Sequence, residues 1–181
     1  YTPRQVAELS NALQALAMEQ GAGVPLFVAV DHEGDGYPYT RITGGVTTLP
    51  NAMAIGATWD PDDARDVGQI VGRELAAVGI NLLLGPGVDV LEEPRAGGQG
   101  DIGTRTFGGD PWWVGQMGRA YLEGVHAGSG GRVSTVAKHF PGHGGSDRLP
   151  DEEVSTVDKS LEQLVSVELV PFLAVTRENG S

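Results

Sequence analysis

Short apolar runs alternate along this chain with longer stretches in which apolar residues recur every three or four positions. From 3 to 20, Val6, Leu9, Leu13, Leu16 and Ala17 share one helical face, and Thr2-Pro3 supplies an N-cap and a first-turn proline. Asp60-Pro61 opens a second such stretch that reaches Val78 and stops at Gly79. Asp110-Pro111 opens a third, to about Ala127, and Ser160 a fourth, to about Val175. The runs 26–30, 80–84 and 133–137 are built largely of apolar or β-branched residues, the pattern of strands covered on both faces. The order helix, strand, helix, strand, helix, strand, helix predicts a parallel sheet overlaid by helices.

Two glycine-rich loops are long, 31–59 and 85–109, and each follows the C-terminal end of a strand. Loops of that length in a compact domain are usually functional, and that end of the strands is the ligand-bearing face of a TIM barrel. Four groups of polar residues fall there: Asp31-His32-Glu33-Gly34, Asp89, the segment 103–108 with Arg105, and Lys138-His139. A carboxylate accepts from two neighbouring hydroxyls, while Arg and Lys donate several bonds without a return, so such a set suits a pyranose ring. Three strands do not close an eight-stranded barrel of ~250 residues. The expected fold is therefore α/β, a segment of a TIM (β/α)₈ barrel with the first strand and second half missing. Its natural partner would be the remainder of its own barrel, and 181 residues with unpaired strand edges are not expected to fold alone.

Composition narrows the partners. A formal charge of −12 repels phosphate backbones and argues against nucleic acid. No run approaches the ~18 apolar residues of a membrane span, and the absence of cysteine excludes disulfides, thiolate catalysis and sulfur-ligated metals. His139 and His143 are four apart, but Pro141-Gly142 prevent the helix on which they would face one metal, so neither metal nor other cofactor is expected. Trp112-Trp113 could stack on a sugar, yet at a helix start packing is the commoner role. Asp151-Glu152-Glu153 is expected to be a solvated run.

Four strings then agree with one family. VDHEG (30–34), GPGVDV (85–90), GTRTFGGDP (103–111) and KHFPGHG (138–144), followed by VDKSLEQL (157–164), resemble glycoside hydrolase family 3 in order and spacing over nearly the whole chain. The GTR-x-F-G form and KHFPGHG are most similar to its β-N-acetylhexosaminidase branch. The resemblance implies a retaining hydrolase of terminal β-linked N-acetylglucosamine or a related β-sugar, with Asp31, Arg105, Lys138 and His139 binding the carbohydrate. It also implies an aspartate nucleophile on a later strand, beyond Ser181. One departure is plain: the branch carries an Asp-Ser-His triplet after the glycine turn, and here Leu149-Pro150-Asp151 hold its place. Asp147 and Asp151 are the candidate proton donors if burial raises their pKa. A β-glucosidase or phosphorylase on the same scaffold, and a sugar-binding protein that no longer cleaves, are the alternatives.

Overall fold

The computed structural model describes residues 1–95, 102–147 and 154–177. Helix α1 spans Pro3–Glu19 behind a capping box between Thr2 and Gln5. After β1, Ala29–Val30, a short helix α2, Ala52–Gly56, lies inside the first long loop. Helix α3, Pro61–Ala77, leads to β2, Leu82–Leu83; α4, Pro111–Ser129, leads to β3, Ser134–Thr135. The last helical stretch comprises α5, Leu161–Gln163, a π turn at Leu164–Glu168, and α6, Leu169–Thr176. Asp60 and Asp110 cap α3 and α4 as the sequence predicts, each followed by proline at the first helical position.

The strands form one parallel sheet in the order β1-β2-β3, with Ala29 opposite Leu82 and Leu82 opposite Ser134. The ladders are shorter than the apolar runs that announce them, but pairing continues beyond them. Lys138 N–H donates to Pro86 O at 3.1 Å, and Val88 N–H to Lys138 O at 2.7 Å. That extension sets the loop after β2 directly beside Lys138 and His139.

The core lies between the sheet and the α3–α4 pair: Val71, Leu75, Leu83, Val88, Val114, Met117, Val125 and Val133 are almost wholly buried. The two helices meet through glycine. A Cβ at Gly68 or Gly72 would overlap the carbonyls of Tyr121 and Val125, and one at Gly124 or Gly128 those of Arg65 and Gln69. At these four positions the helices pack backbone against backbone, with no room for a side chain between them.

Two sequence expectations meet a different outcome. The apolar face of α1 is not covered: Leu9 is 56% exposed and Leu16 52%, whereas Ser10 is buried against Gly79. Periodicity marks a face that favours burial; it does not supply the surface that covers it. The tryptophans divide. Trp113 is buried, donates Nε1–H to Gly56 O at 3.0 Å and stacks on Trp59, while Trp112 stays largely exposed.

Candidate functional site

Past β1 the chain remains extended, and residues two apart point the same way. Asp31 and Glu33 therefore share a side, and His32 turns to the opposite, buried one. Lys138, from the end of β3, places Nζ 2.8 Å from Asp31 Oδ1 and 2.7 Å from Glu33 Oε1. Arg105 reaches the same glutamate from the second long loop, Nε to Oε2 at 2.8 Å and NH2 to Oε1 at 3.2 Å. Its guanidinium also lies 4.3 Å from the centre of the Tyr39 ring. Glu33, 7% exposed, is the bridge that spaces the two cations. Without that anion, two desolvated positive charges would share one pocket.

Behind this layer stands Asp89, fully buried at the end of the GPGVDV string between the buried Val88 and Val90. Its Oδ1 accepts the His143 backbone N–H at 2.7 Å and the His139 N–H at 3.2 Å; its Oδ2 faces His139 Nδ1 at 2.8 Å. Burial alone would raise the Asp89 pKa. The hydrogen bond from His139, with the two backbone amides, outweighs burial and holds it below the ordinary carboxylate value. An ionised Asp89 accepts the proton on Nδ1, so His139 Nε2 keeps its lone pair toward Arg105 NH2, 3.3 Å away. The partners thereby fix the imidazole tautomer. The His143 ring stacks on it at 5.4 Å, nearly parallel. It is the backbone N–H of His143, rather than its ring, that ties the turn to Asp89.

Asp31, Glu33, Tyr39, Arg105, Lys138 and His139 line one open cleft of about 600 Å³. The four residues expected from sequence to bind sugar thus converge, with Asp31 the most exposed of their charged groups. Glu33, Tyr39 and Asp89 complete the arrangement; Asp89 and the string that holds Glu33 stand among the polar groups at the strand ends, and Tyr39 does not. Alternation along VDHEG could have found Glu33, and Asp89 already stood at a strand end; nothing local marks Tyr39.

Asp147 sits elsewhere. Its Oδ1 accepts the Thr156 N–H at 2.7 Å, its N–H donates to Thr156 O, and Arg95 donates to its carbonyl. It works as a strut across the stem of the following loop and does not line the cleft. Asp151 lies outside the described residues. Chemically, the cleft offers carboxylate acceptors, two fixed cations and an oriented imidazole, donors and acceptors of the kind that suit a polyhydroxylated ring.

The glycosyl hydrolase family 3 N terminal domain matches residues 1–181. The beta-hexosaminidase of Xylella fastidiosa (strain M23) is 35% identical over 176 residues, 94% of this chain and 48% of that protein. Beta-hexosaminidase A of Pseudoalteromonas piscicida is 32% identical over 177 residues, covering 96% of this chain and 28% of that one. Among solved structures, a glycoside hydrolase family 3 beta-N-acetylglucosaminidase from Paenibacillus sp. str. FPU-7 superposes with a TM-score of 0.86 at 36% identity, over 97% of this chain and 32% of that one. The chain spans about half the length of its relatives, or less. In fold it is a segment of a TIM-barrel-like α/β structure, and it belongs to glycosyl hydrolase family 3, as that family's N-terminal domain.

Proposed function

We propose that this chain is the sugar-clamping part of an enzyme that removes terminal β-linked N-acetylglucosamine by a retaining mechanism. One observation carries the reading: residues separated by as many as 107 positions, Asp31 and Lys138, meet at 2.8 Å in a cleft that also holds Arg105 and His139. The beta-hexosaminidase names of the relatives support the choice of sugar. In this reading Asp31 accepts from neighbouring ring hydroxyls, while Arg105, Lys138 and His139 donate or accept at the adjoining ones. The clamp fixes the ring so that a nucleophile from the rest of the barrel, on a strand beyond Ser181, attacks the anomeric carbon. The proton donor comes from the loop between Ser146 and Val157. There Asp147 is committed as a strut, which leaves Asp151 as the candidate.

The departure at Leu149-Pro150-Asp151 favours one second reading, a protein that kept the clamp and lost the proton donor. Turnover of aryl β-N-acetylglucosaminide and aryl β-glucoside by the full-length gene product separates the two. Preference for the acetamido sugar supports the proposal. Sugar binding by calorimetry without turnover of either refutes it.

A further inference from the structure

The three tryptophans of this chain meet in one cluster, and none of them lines the clamp cleft. Trp59 and Trp113 stack with ring centres 4.9 Å apart and planes 29° apart; Trp112 lies 6.2 Å from Trp113 at 33°. Trp113 is the buried backing, while Trp59 and Trp112 on either side of it are 70% and 62% exposed. Two such indoles leave a continuous aromatic surface in water, which marks an interaction site where a lone exposed ring does not. The backbone adds a second sign. Trp59 holds φ at 56°, the one positive φ outside glycine among the described residues. A bulky side chain is strained in that left-handed region, which glycine enters freely, and strain of this kind clusters at functional sites.

Both exposed tryptophans end loops that build the clamp. Trp59 closes the loop 31–59 that opens with Asp31, and Trp112 follows the loop 85–109 that carries Asp89 and Arg105. They stand at the N-terminal ends of α3 and α4, and so on the same face of the sheet as the cleft. Charge restricts what can lie there. Segments 58–64 and 108–118 hold Asp60, Asp62, Asp63 and Asp110 and no lysine or arginine; Arg65, just beyond, is paired with Asp62 and Glu123. Nucleobases also stack on indoles, but the phosphates between them would meet these carboxylates, as would anionic headgroups. A β-linked pyranose with equatorial substituents carries C–H bonds on its faces and hydroxyls around its rim. The faces lie on indole, and the rim hydroxyls donate to carboxylates.

We propose that Trp59, Trp112 and Trp113 form a stacking surface that holds a neutral β-linked N-acetylglucosamine chain outside the clamp. The identity of the sugar rests on the hydrolase reading given above. In that reading the clamp takes only the terminal residue of a chain, whereas exposed indoles lie against residues within it. A chain held on the same face as the cleft supplies its end at a raised local concentration.

The test is affinity electrophoresis of the full-length gene product in native gels containing glycol chitin, a soluble neutral polymer of β-linked N-acetylglucosamine with few chain ends. The wild type should be retarded, and saturating free N-acetylglucosamine, which fills the clamp, should not release it. Trp59→Gly, which also relieves the backbone, and Trp112→Ala should each raise the dissociation constant for the polymer about 5- to 100-fold, the range for loss of one stacked ring. Affinity for free N-acetylglucosamine, measured by calorimetry, separates loss of this surface from loss of the fold. It should hold in both variants, and Trp112→Ala carries the test if the glycine variant does not fold. Parallel loss of both affinities means that the cluster only supports the fold, and variants retarded like the wild type mean that the indoles are idle. Retardation abolished by free sugar means that the clamp holds chain ends. A wild-type dimer in sedimentation that Trp112→Ala dissociates assigns the surface to a second copy. Each of these overturns the inference alone, as does a wild type that binds N-acetylglucosamine but runs unretarded. A wild type that neither binds that sugar nor turns over its aryl glycoside overturns the hydrolase reading, and the inference falls with it.

Discussion

Replacing Asp89 by Asn keeps the shape of the side chain and removes one of its two acceptors. Asp89 now receives three hydrogen bonds: His143 N–H at 2.7 Å and His139 N–H at 3.2 Å on one oxygen, His139 Nδ1 at 2.8 Å on the other. An amide satisfies the two backbone donors with its carbonyl, but its NH2 group then meets Nδ1–H. The imidazole escapes by moving its proton to Nε2, where it confronts Arg105 NH2 at 3.3 Å, a donor against a donor. The loss is two charge-assisted hydrogen bonds, about 1.5–3 kcal/mol each, offset by the neutral bond that the Asn NH2 group then makes to Nδ1, about 1 kcal/mol. A total near 3 kcal/mol corresponds to roughly 100-fold in kcat/KM. The assay is kcat/KM of the full-length gene product on aryl β-N-acetylglucosaminide, with the melting temperature measured alongside. A variant within about threefold of wild type, equally stable, would refute the argument that Asp89 fixes the tautomer. The same carboxylate sets a pH dependence. Its folded pKa is lowered, so its stabilising contribution is complete above the ordinary carboxylate value near ~4 and is lost as pH falls through the lower folded value. Asn at this position removes that acid limb.

Arg105→Lys keeps the charge but not the two-pronged contact with Glu33 nor the fit to the Tyr39 ring. N-acetylglucosamine affinity measured by calorimetry should fall about 10- to 100-fold, the worth of one charged hydrogen bond. Gly72→Ala drives a methyl group into the Val125 carbonyl across the α3–α4 seam. Overpacking of about 3 kcal/mol, less ~1 kcal/mol of helix propensity, predicts a melting temperature lower by roughly 4–8 °C in calorimetry of the full-length product. His32 is buried and its pKa is lowered by burial, against the opposing charge of Glu74. Stability should therefore weaken as pH falls from the unfolded value of about 6.5 through the lower folded one, and His32→Leu should flatten that slope in thermal melts.

Helix starts were legible because their chemistry is local. Thr2, Asp60, Asp110 and Ser160 each accept a backbone N–H that the helix itself leaves unpaired, and proline follows three of them. The strands were legible from continuous apolar runs, since a sheet covered on both faces leaves no polar alternation to read. Helix α2 was not: five residues make little more than one turn, too few for a period, and only Asn51 as cap marks it. The π turn was invisible because it changes the pitch of a helix without a distinctive composition. In the site, Asp31, Arg105, Lys138 and His139 stood at strand ends or in motif strings, where position along the chain reports position in space. The bridging role of Glu33 depends on two cations arriving from distant loops, and the strut role of Asp147 on a neighbour nine residues on. No local window contains either.

The glycine seam between α3 and α4 has a consequence for how this domain can change over generations. Every single-base change from a glycine codon that yields another amino acid adds at least a Cβ. At Gly68, Gly72, Gly124 and Gly128 that atom meets main chain, which cannot turn aside as a side chain can. A substitution on one helix has no small partner on the other left to trim in compensation. The pair can therefore accept variation on its outer surfaces while its mating faces stay fixed. The loops after β1 and β2, which bring Glu33 and Arg105 together, stand on a frame whose seam admits no added side chain.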